Sequence, residues 1–209
     1  MLKLDSNIIA RIQQSEILVI GCSAGGFHLV FELILQLPEN FLMPVVVVIH
    51  RGKKYKTSIE RLLDHKANVS VKIADDKEIL KKGCVYFAPS DYHLLLEPEG
   101  AFTLDYSEPV MYCRPSIDIT FQSVADVWGN KVIAILLSGA NADGAEGLAT
   151  IKRNGGMIVV QNPDSAEVRT MPEAAINKSQ PDFILNNDTL IEFVTQIGII
   201  KSGLALPGK

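Results

Sequence analysis

Three short stretches of this chain carry side chains suited to chemistry, and each stands where an apolar run gives way to polar or glycine-rich sequence. The first is Gly21-Cys22-Ser23-Ala24-Gly25-Gly26, placed after the run Ile17 to Ile20 and before a helical pattern. Glycine and small residues let a backbone turn sharply enough to lift a serine hydroxyl above a sheet, as in a nucleophile elbow. They also leave N–H groups at a helix N-terminus, where a developing oxyanion or a bound phosphate is stabilised. By itself the turn therefore has three readings: a nucleophilic Ser23, a phosphate cradle, or a plain tight turn.

The second stretch ends in His50, where Val45 to Ile49 runs out into the polar Arg51-Gly52-Lys53-Lys54. An imidazole there could serve Ser23 as a base or simply cap a strand. His28, His65 and His93 compete poorly, being early in a helix, at a helix end and in a hairpin, respectively. The third stretch is Ser138-Gly139-Ala140-Asn141-Ala142-Asp143-Gly144. Asp143 could orient an imidazole or act as a helix N-cap. Hydroxyl, imidazole and carboxylate on three strand ends together form the set required for nucleophilic acyl transfer. Their order, Ser23, His50, Asp143, differs from the Ser, acid, His order of ordinary α/β-hydrolases.

The elements that must position these residues alternate in type. Buried strands are expected at Ile17 to Ile20, Val45 to Ile49, Val69 to Ile73, Val85 to Ala88, Val132 to Leu137 and Ile158 to Val160. Helices are expected at Phe27 to Leu37, Thr57 to His65, Ile117 to Trp128 and Gly147 to Asn154, the last stopped by Gly155-Gly156. A short helix near Pro172 to Asn177 and a closing helix from Thr189 to Gly198 follow, with a frayed tail from Leu204 to Lys209. Tyr92 to Leu104, folded about Pro98-Glu99-Gly100, reads as a hairpin. The pattern predicts an α/β fold, a doubly wound and mostly parallel sheet with helices on both faces and an antiparallel hairpin at one edge. In such sheets ligands bind beyond the strand C-termini, so the three stretches should share one edge.

Composition narrows the function classes. The chain has 209 residues, is 47% hydrophobic and carries a net charge of −4, which suits a single domain over residues 1–209 with a real core. Its charges are dispersed, so neither a nucleic-acid footprint nor a membrane patch is expected. No apolar run is long enough to span a bilayer, and the polar residues Lys3, Asp5, Asn7 and Arg11 interrupt any signal-peptide core. A cytoplasmic protein is expected. Cys22, Cys84 and Cys113 form no C-x-x-C pair, which fits reduced thiols and gives no reason to expect zinc; no cofactor is expected either.

With these motifs in place, the chain resembles the catalytic domain of the CheB-type protein-glutamate methylesterases over about Ile17 to Ile176. The G-x-S-x-G-G turn puts Ser23 at the family's nucleophile, His50 falls at its general base, and Asp143, in the S-G-x-x-x-D-G-A-x-G loop, at its triad acid. Ala88-Pro89 with Asp91 and His93, Arg114-Pro115-Ser116 with Asp118, Gln161-Asn162 and Met171-Pro172 extend the match. The resemblance implies hydrolysis of glutamate methyl esters on methyl-accepting chemotaxis receptors, and deamidation of receptor glutamines by the same chemistry. It also implies substrate contacts at Ala24, Arg114 and Ala140. This chain departs from the family at Ala24 (commonly Thr), Ala140-Asn141 (commonly Met-Gly) and Cys113 (commonly His), all beside the implied site. Well-known members carry a response-regulator domain ahead of the esterase; with about fifteen residues before the first strand, activity here is expected to be constitutive or controlled by a separate regulatory protein.

Two rival readings are weighed against this one. A nucleotide-binding protein would use Gly21 to Gly26 as a phosphate cradle, but Ser23 stands at the central glycine of G-x-G-x-x-G and no acid ends the next strand. A binding module, or an esterase of the same fold with another substrate, would account for the departures.

Overall fold

The computed structural model describes residues 2–50 and 59–203. The polar loop at 51–54, the first two residues of the helix expected from Thr57, and the tail from Leu204 lie outside these. In chain order the elements are α1 (Ser6–Gln14), β1 (Ile17–Cys22), α2 (Phe27–Leu35), β2 (Val45–Ile49), α3 (Ile59–Lys66), β3 (Ser70–Ile73), β4 (Cys84–Phe87), β5 (His93–Leu96), β6 (Phe102–Asp105), α4 (Ile117–Trp128), β7 (Val132–Leu136), α5 (Ala145–Arg153), β8 (Met157–Gln161), α6 (Thr170–Ser179), β9 (Phe183–Leu185) and α7 (Asn187–Lys201).

Seven strands form one sheet in the order β3-β4-β2-β1-β7-β8-β9, and every neighbouring pair is parallel. The β-branched runs that marked β1, β2, β7 and β8 are buried along their whole length, as strands covered on both faces must be. Successive side chains of β1 alternate between two cores. Leu18, Ile20 and Cys22 pack with residues of α1, α2, α3 and α7, whereas Ile17 and Val19 pack with α4, α5, α6 and the hairpin. The expected hairpin is present as β5 and β6, a separate two-stranded antiparallel sheet. It is held to α4 by Ser123 Oγ, which accepts from Leu96 N at 3.1 Å, and by Thr120 Oγ1, which donates to Leu94 O at 2.8 Å.

Two elements were not expected. α1 is short and begins at an Asp5 cap, whose side chain accepts from Ile8 N. β9 is three residues long. Asp182, just before it, binds Arg11 of α1, Lys152 of α5 and the N–H of Ile158 in β8, and so ties these elements to the β9 edge.

At the other end of β1, Gly21 has no room for a side chain. A Cβ there would stand 2.6 Å from Ile117 Cγ2 and 3.0 Å from Leu136 Cδ1. The start of α4 therefore lies directly on the last turn of the central strand, which brings its N-terminus to the edge where Ser23, His50 and Asp143 emerge. No helix among the described residues is long and apolar enough to cross a membrane.

Candidate active site

Backbone hydrogen bonds join the three strand ends. Ser23 N donates to Ser138 O at 2.9 Å, His50 N to Cys22 O at 3.2 Å, and Leu137 N to Gly21 O at 2.9 Å. The loops after β1, β2 and β7 thus leave the sheet side by side, beyond the C-termini of its central strands, where open α/β sheets hold ligands.

The half-buried Ser23 opens a turn closed by Gly26 N donating to Ser23 O at 3.1 Å. Gly25 has a φ of +75° and packs so tightly that a Cβ would lie 2.8 Å from Ser138 Oγ. Ser138 braces the turn: its hydroxyl is 2.8 Å from Ala24 O and accepts from Val168 N, also at 2.8 Å, while its own N–H donates to Gln161 Oε1 at 2.7 Å. Gly139 abuts Ser23 directly, since a Cβ on it would lie 3.0 Å from Ser23 Cβ. Among the described residues nothing accepts from the N–H groups of Ala24 or Gly25, which leaves them for an incoming anion.

Asp143 is fully buried, 0% exposed, and its carboxylate is surrounded by donors. Oδ1 accepts from Ser116 Oγ at 2.8 Å and Asp118 N at 2.9 Å; Oδ2 accepts from Ile117 N at 2.7 Å and faces His50 Nε2 at 2.7 Å. The N-cap of α5 is Gly144, not Asp143. Asp143 instead takes the first free N–H groups of α4, a helix distant in sequence, where the helix dipole favours a negative charge. Despite burial, which pushes the other way, the bonds from His50, Asp118 and Ile117 hold its carboxyl below the ordinary range. Asp118 is pushed up to about 6, chiefly by burial and by the Asp143 charge beside it.

His50 is almost enclosed, its side chain 8% exposed. Burial opposes its charging, but hydrogen bonds to Asp143 and to Cys113 outweigh this and raise it from 6.5 to about 9. Nε2 faces the acid, so Nδ1 is the nitrogen left to serve a nucleophile. In this structure Nδ1 lies 3.3 Å from Cys113 Sγ, and among the described residues no hydrogen bond joins Ser23 Oγ to His50. Asn141 bridges the two loops, donating to Cys113 Sγ at 3.4 Å and accepting from Asp143 N at 3.2 Å.

Arg114 is committed to the protein. Its guanidinium donates to Asp91 Oδ1 at 2.8 Å and to the carbonyls of Ser107 at 2.7 Å and Tyr106 at 2.9 Å, and it covers the Tyr106 ring at 3.8 Å. That geometry fits positioning of the loop ahead of α4. Ala24 and Ala140 are exposed beside Ser23 and the Asp143 loop. Ser116, Ser138 and His93 escaped assignment as site residues. The fully buried His93 accepts from Ser116 N at 3.1 Å through Nδ1 and reaches Glu108 O at 3.1 Å through Nε2. Each lies within a motif that carries the family resemblance, and that was their only sequence signal. No group of three or more His, Cys, Asp or Glu among the described residues is arranged to hold a metal ion.

Known proteins resemble this chain in sequence and fold. A relative from Leptospira interrogans is 40% identical over 182 residues, covering 87% of this chain and 94% of that one. The protein-glutamate methylesterase/protein-glutamine glutaminase of Thermotoga maritima is 35% identical over 173 residues, which make up 81% of this chain but 50% of that protein. The crystal structure of the Thermotoga maritima CheB methylesterase catalytic domain superposes with a TM-score of 0.82 at 33% identity, covering 88% of this chain and 98% of the other. The CheB methylesterase family model matches residues 18–194, a span that runs from the second residue of β1 to about the middle of α7 and contains all three strand-end loops, so the chain belongs to the CheB methylesterase family.

Proposed function

We propose that this protein hydrolyses glutamate γ-methyl esters on methyl-accepting chemotaxis receptors, and deamidates receptor glutamines, through Ser23, His50 and Asp143. The observation that carries the mechanism is the His50–Asp143 contact of 2.7 Å inside a cage of donors, beside the turn that carries Ser23. His50 Nδ1 takes the Ser23 proton as the hydroxyl oxygen attacks the ester carbonyl. The tetrahedral oxyanion is received by the N–H groups after Ser23 and collapses with release of methanol, which takes the proton from Nδ1. Water, activated by the same nitrogen, then frees the glutamate. Throughout, Asp143 fixes the proton on Nε2 and balances the imidazolium charge. Since Nδ1 rests against Cys113, the ring or the thiol shifts as substrate binds, a tightening of geometry common on forming a Michaelis complex. Arg114 and His93 act indirectly, by holding the loop that leads into α4.

The names of the relatives support the choice of substrate, and membership of this family argues against a nucleotide cradle at Gly21 to Gly26. Three reduced cysteines support a cytoplasmic location. The test is methanol release from radiomethyl-labelled chemoreceptor by wild type and by Ser23→Ala, His50→Ala and Asp143→Ala, each first shown to fold. Release by wild type that collapses in all three variants is expected. Failure of wild type on several receptors, with p-nitrophenyl acetate still cleaved, would overturn the receptor assignment in favour of another ester.

A further inference from the structure

The sulfur of Cys113 stands in the place where a nucleophile would be served. Its Sγ is 3.3 Å from His50 Nδ1, whose ring is oriented through Nε2 by Asp143 at 2.7 Å, and it accepts from Asn141 Nδ2 at 3.4 Å. A nucleophile within reach of a base, with the base oriented by a third group, is the arrangement that activates serine and cysteine alike. The Asn141 donor adds a contact that steadies negative charge on sulfur.

Two further observations distinguish this thiol from its counterparts. Cys22 and Cys84 are buried, at 0% and 7% exposure, whereas Cys113 is only half-buried; burial also pushes the Cys84 thiol up. The direction of Cys113 is fixed from both sides. Before it, Cys113 N donates to Val110 O at 2.8 Å across a turn in which Met111 and Tyr112 hold φ of 48° and 65°, a left-handed conformation that side-chain-bearing residues adopt at a cost. After it, Arg114 is locked to Asp91, and Ser116 to Asp143. The strained turn and its anchors hold the sulfur against the imidazole.

We propose that Cys113 is a peroxide-reactive thiol whose oxidation to sulfenic acid switches off the esterase. His50 Nδ1 takes the thiol proton, and the sulfur attacks one oxygen of hydrogen peroxide, forming the S–O bond as the O–O bond breaks. Sulfur loses two electrons, and the departing hydroxide recovers the proton from Nδ1 as water. The new S–OH group then occupies the nitrogen that Ser23 needs. Two equivalents of a thiol reductant restore the cysteine, giving water and a disulfide of the reductant. The reactivity of Cys113 stands on this geometry alone, while the switch rests on the esterase reading.

The experiment exposes the folded full chain to hydrogen peroxide with dimedone, maps the adducts by mass spectrometry, and follows p-nitrophenyl acetate hydrolysis in parallel without dimedone. The adduct is expected on Cys113 and not on Cys22 or Cys84, forming at least about tenfold faster than in His50→Ala. Hydrolysis is expected to fall as Cys113 is oxidised and to return with dithiothreitol, whereas peroxide leaves the activity of Cys113→Ser at its starting level. Labelling of other cysteines alone, or a Cys113 rate unchanged by His50→Ala, would overturn the reactive thiol. Full oxidation with hydrolysis intact would overturn the switch. A wild type with no esterase activity would sink the esterase reading and the switch together, and the labelling rate would still decide whether Cys113 is activated.

Discussion

Asp143→Asn preserves the size of the buried acid and removes its charge. The carboxylate accepts from Ser116 Oγ, Asp118 N and Ile117 N and faces His50 Nε2, all within 2.9 Å. An amide has one oxygen for these partners. With that oxygen on the Ser116 and Asp118 side, its NH2 group meets the Ile117 N–H and turns His50 Nε2 into an acceptor. The ring proton is then left on Nδ1, the nitrogen that has to take the proton from Ser23. By analogy with the same substitution in serine proteases, the wrong tautomer should lower kcat about 10³- to 10⁴-fold.

Stability changes as well, with a defined pH dependence. Lifting His50 from 6.5 to about 9, the work of Asp143 and Cys113 together, corresponds to about 3 kcal/mol, which is therefore the upper bound on what losing Asp143 removes. Because the folded-state value is the higher one, this contribution is complete below pH 6.5 and is lost as pH rises through about 9. On the acid side, the lowered Asp143 equilibrium makes the same interaction disappear as the carboxyl protonates, so it is counted once. A further ~1–3 kcal/mol comes from the Ile117 N–H facing a donor, at any pH where the wild-type carboxylate is charged. Urea unfolding followed through the single tryptophan, Trp128, should therefore show a deficit of up to about 6 kcal/mol at pH 6 that falls to about 1–3 kcal/mol near pH 10. A deficit equal at both pH values, or a kcat within tenfold of wild type, would refute this reasoning.

Two further substitutions separate support of the site from its chemistry. Ser116→Ala removes both the bond to Asp143 Oδ1 and the cap on Ile119 N; it should cost about 2–4 kcal/mol in thermal or urea unfolding and about tenfold in p-nitrophenyl acetate turnover, with a smaller rate effect than Asp143→Asn because two backbone donors remain. Gly139→Ala places a Cβ 2.4 Å from Met171 Cε and 3.0 Å from Ser23 Cβ. The flexible methionine end can move, whereas displacing the serine disturbs its alignment, so kcat/KM should fall at least about tenfold while urea stability drops by no more than about 2 kcal/mol. An unimpaired turnover in Gly139→Ala would show that the contact with Ser23 does not set its alignment.

Local pattern carried much of this protein. Short β-branched runs bounded by turn residues read as strands covered on both faces, so β1, β2, β7 and β8 were legible, and with them the positions of Ser23, His50 and Asp143 at three strand ends. Glycines at 21, 25 and 26 marked a tight turn for steric reasons that hold wherever the turn sits. β9 was not legible, being three residues long and tied to its neighbours through Asp182, and α1 was not read from the sequence although it is as long as α2 and α5.

The tertiary structure alone decided how the site is wired. That Asp143 caps α4 rather than its own helix, that it meets His50 Nε2, that Arg114 spends its charge on Asp91, and that Cys113 lies against His50 Nδ1 are relations between residues tens of positions apart. Hydrophobic periodicity records which face of an element is buried but not which hydrogen-bond donor from another element meets it there. Those pairings were fixed only when the packing of α4 against Gly21 brought the two ends of the chain's chemistry together.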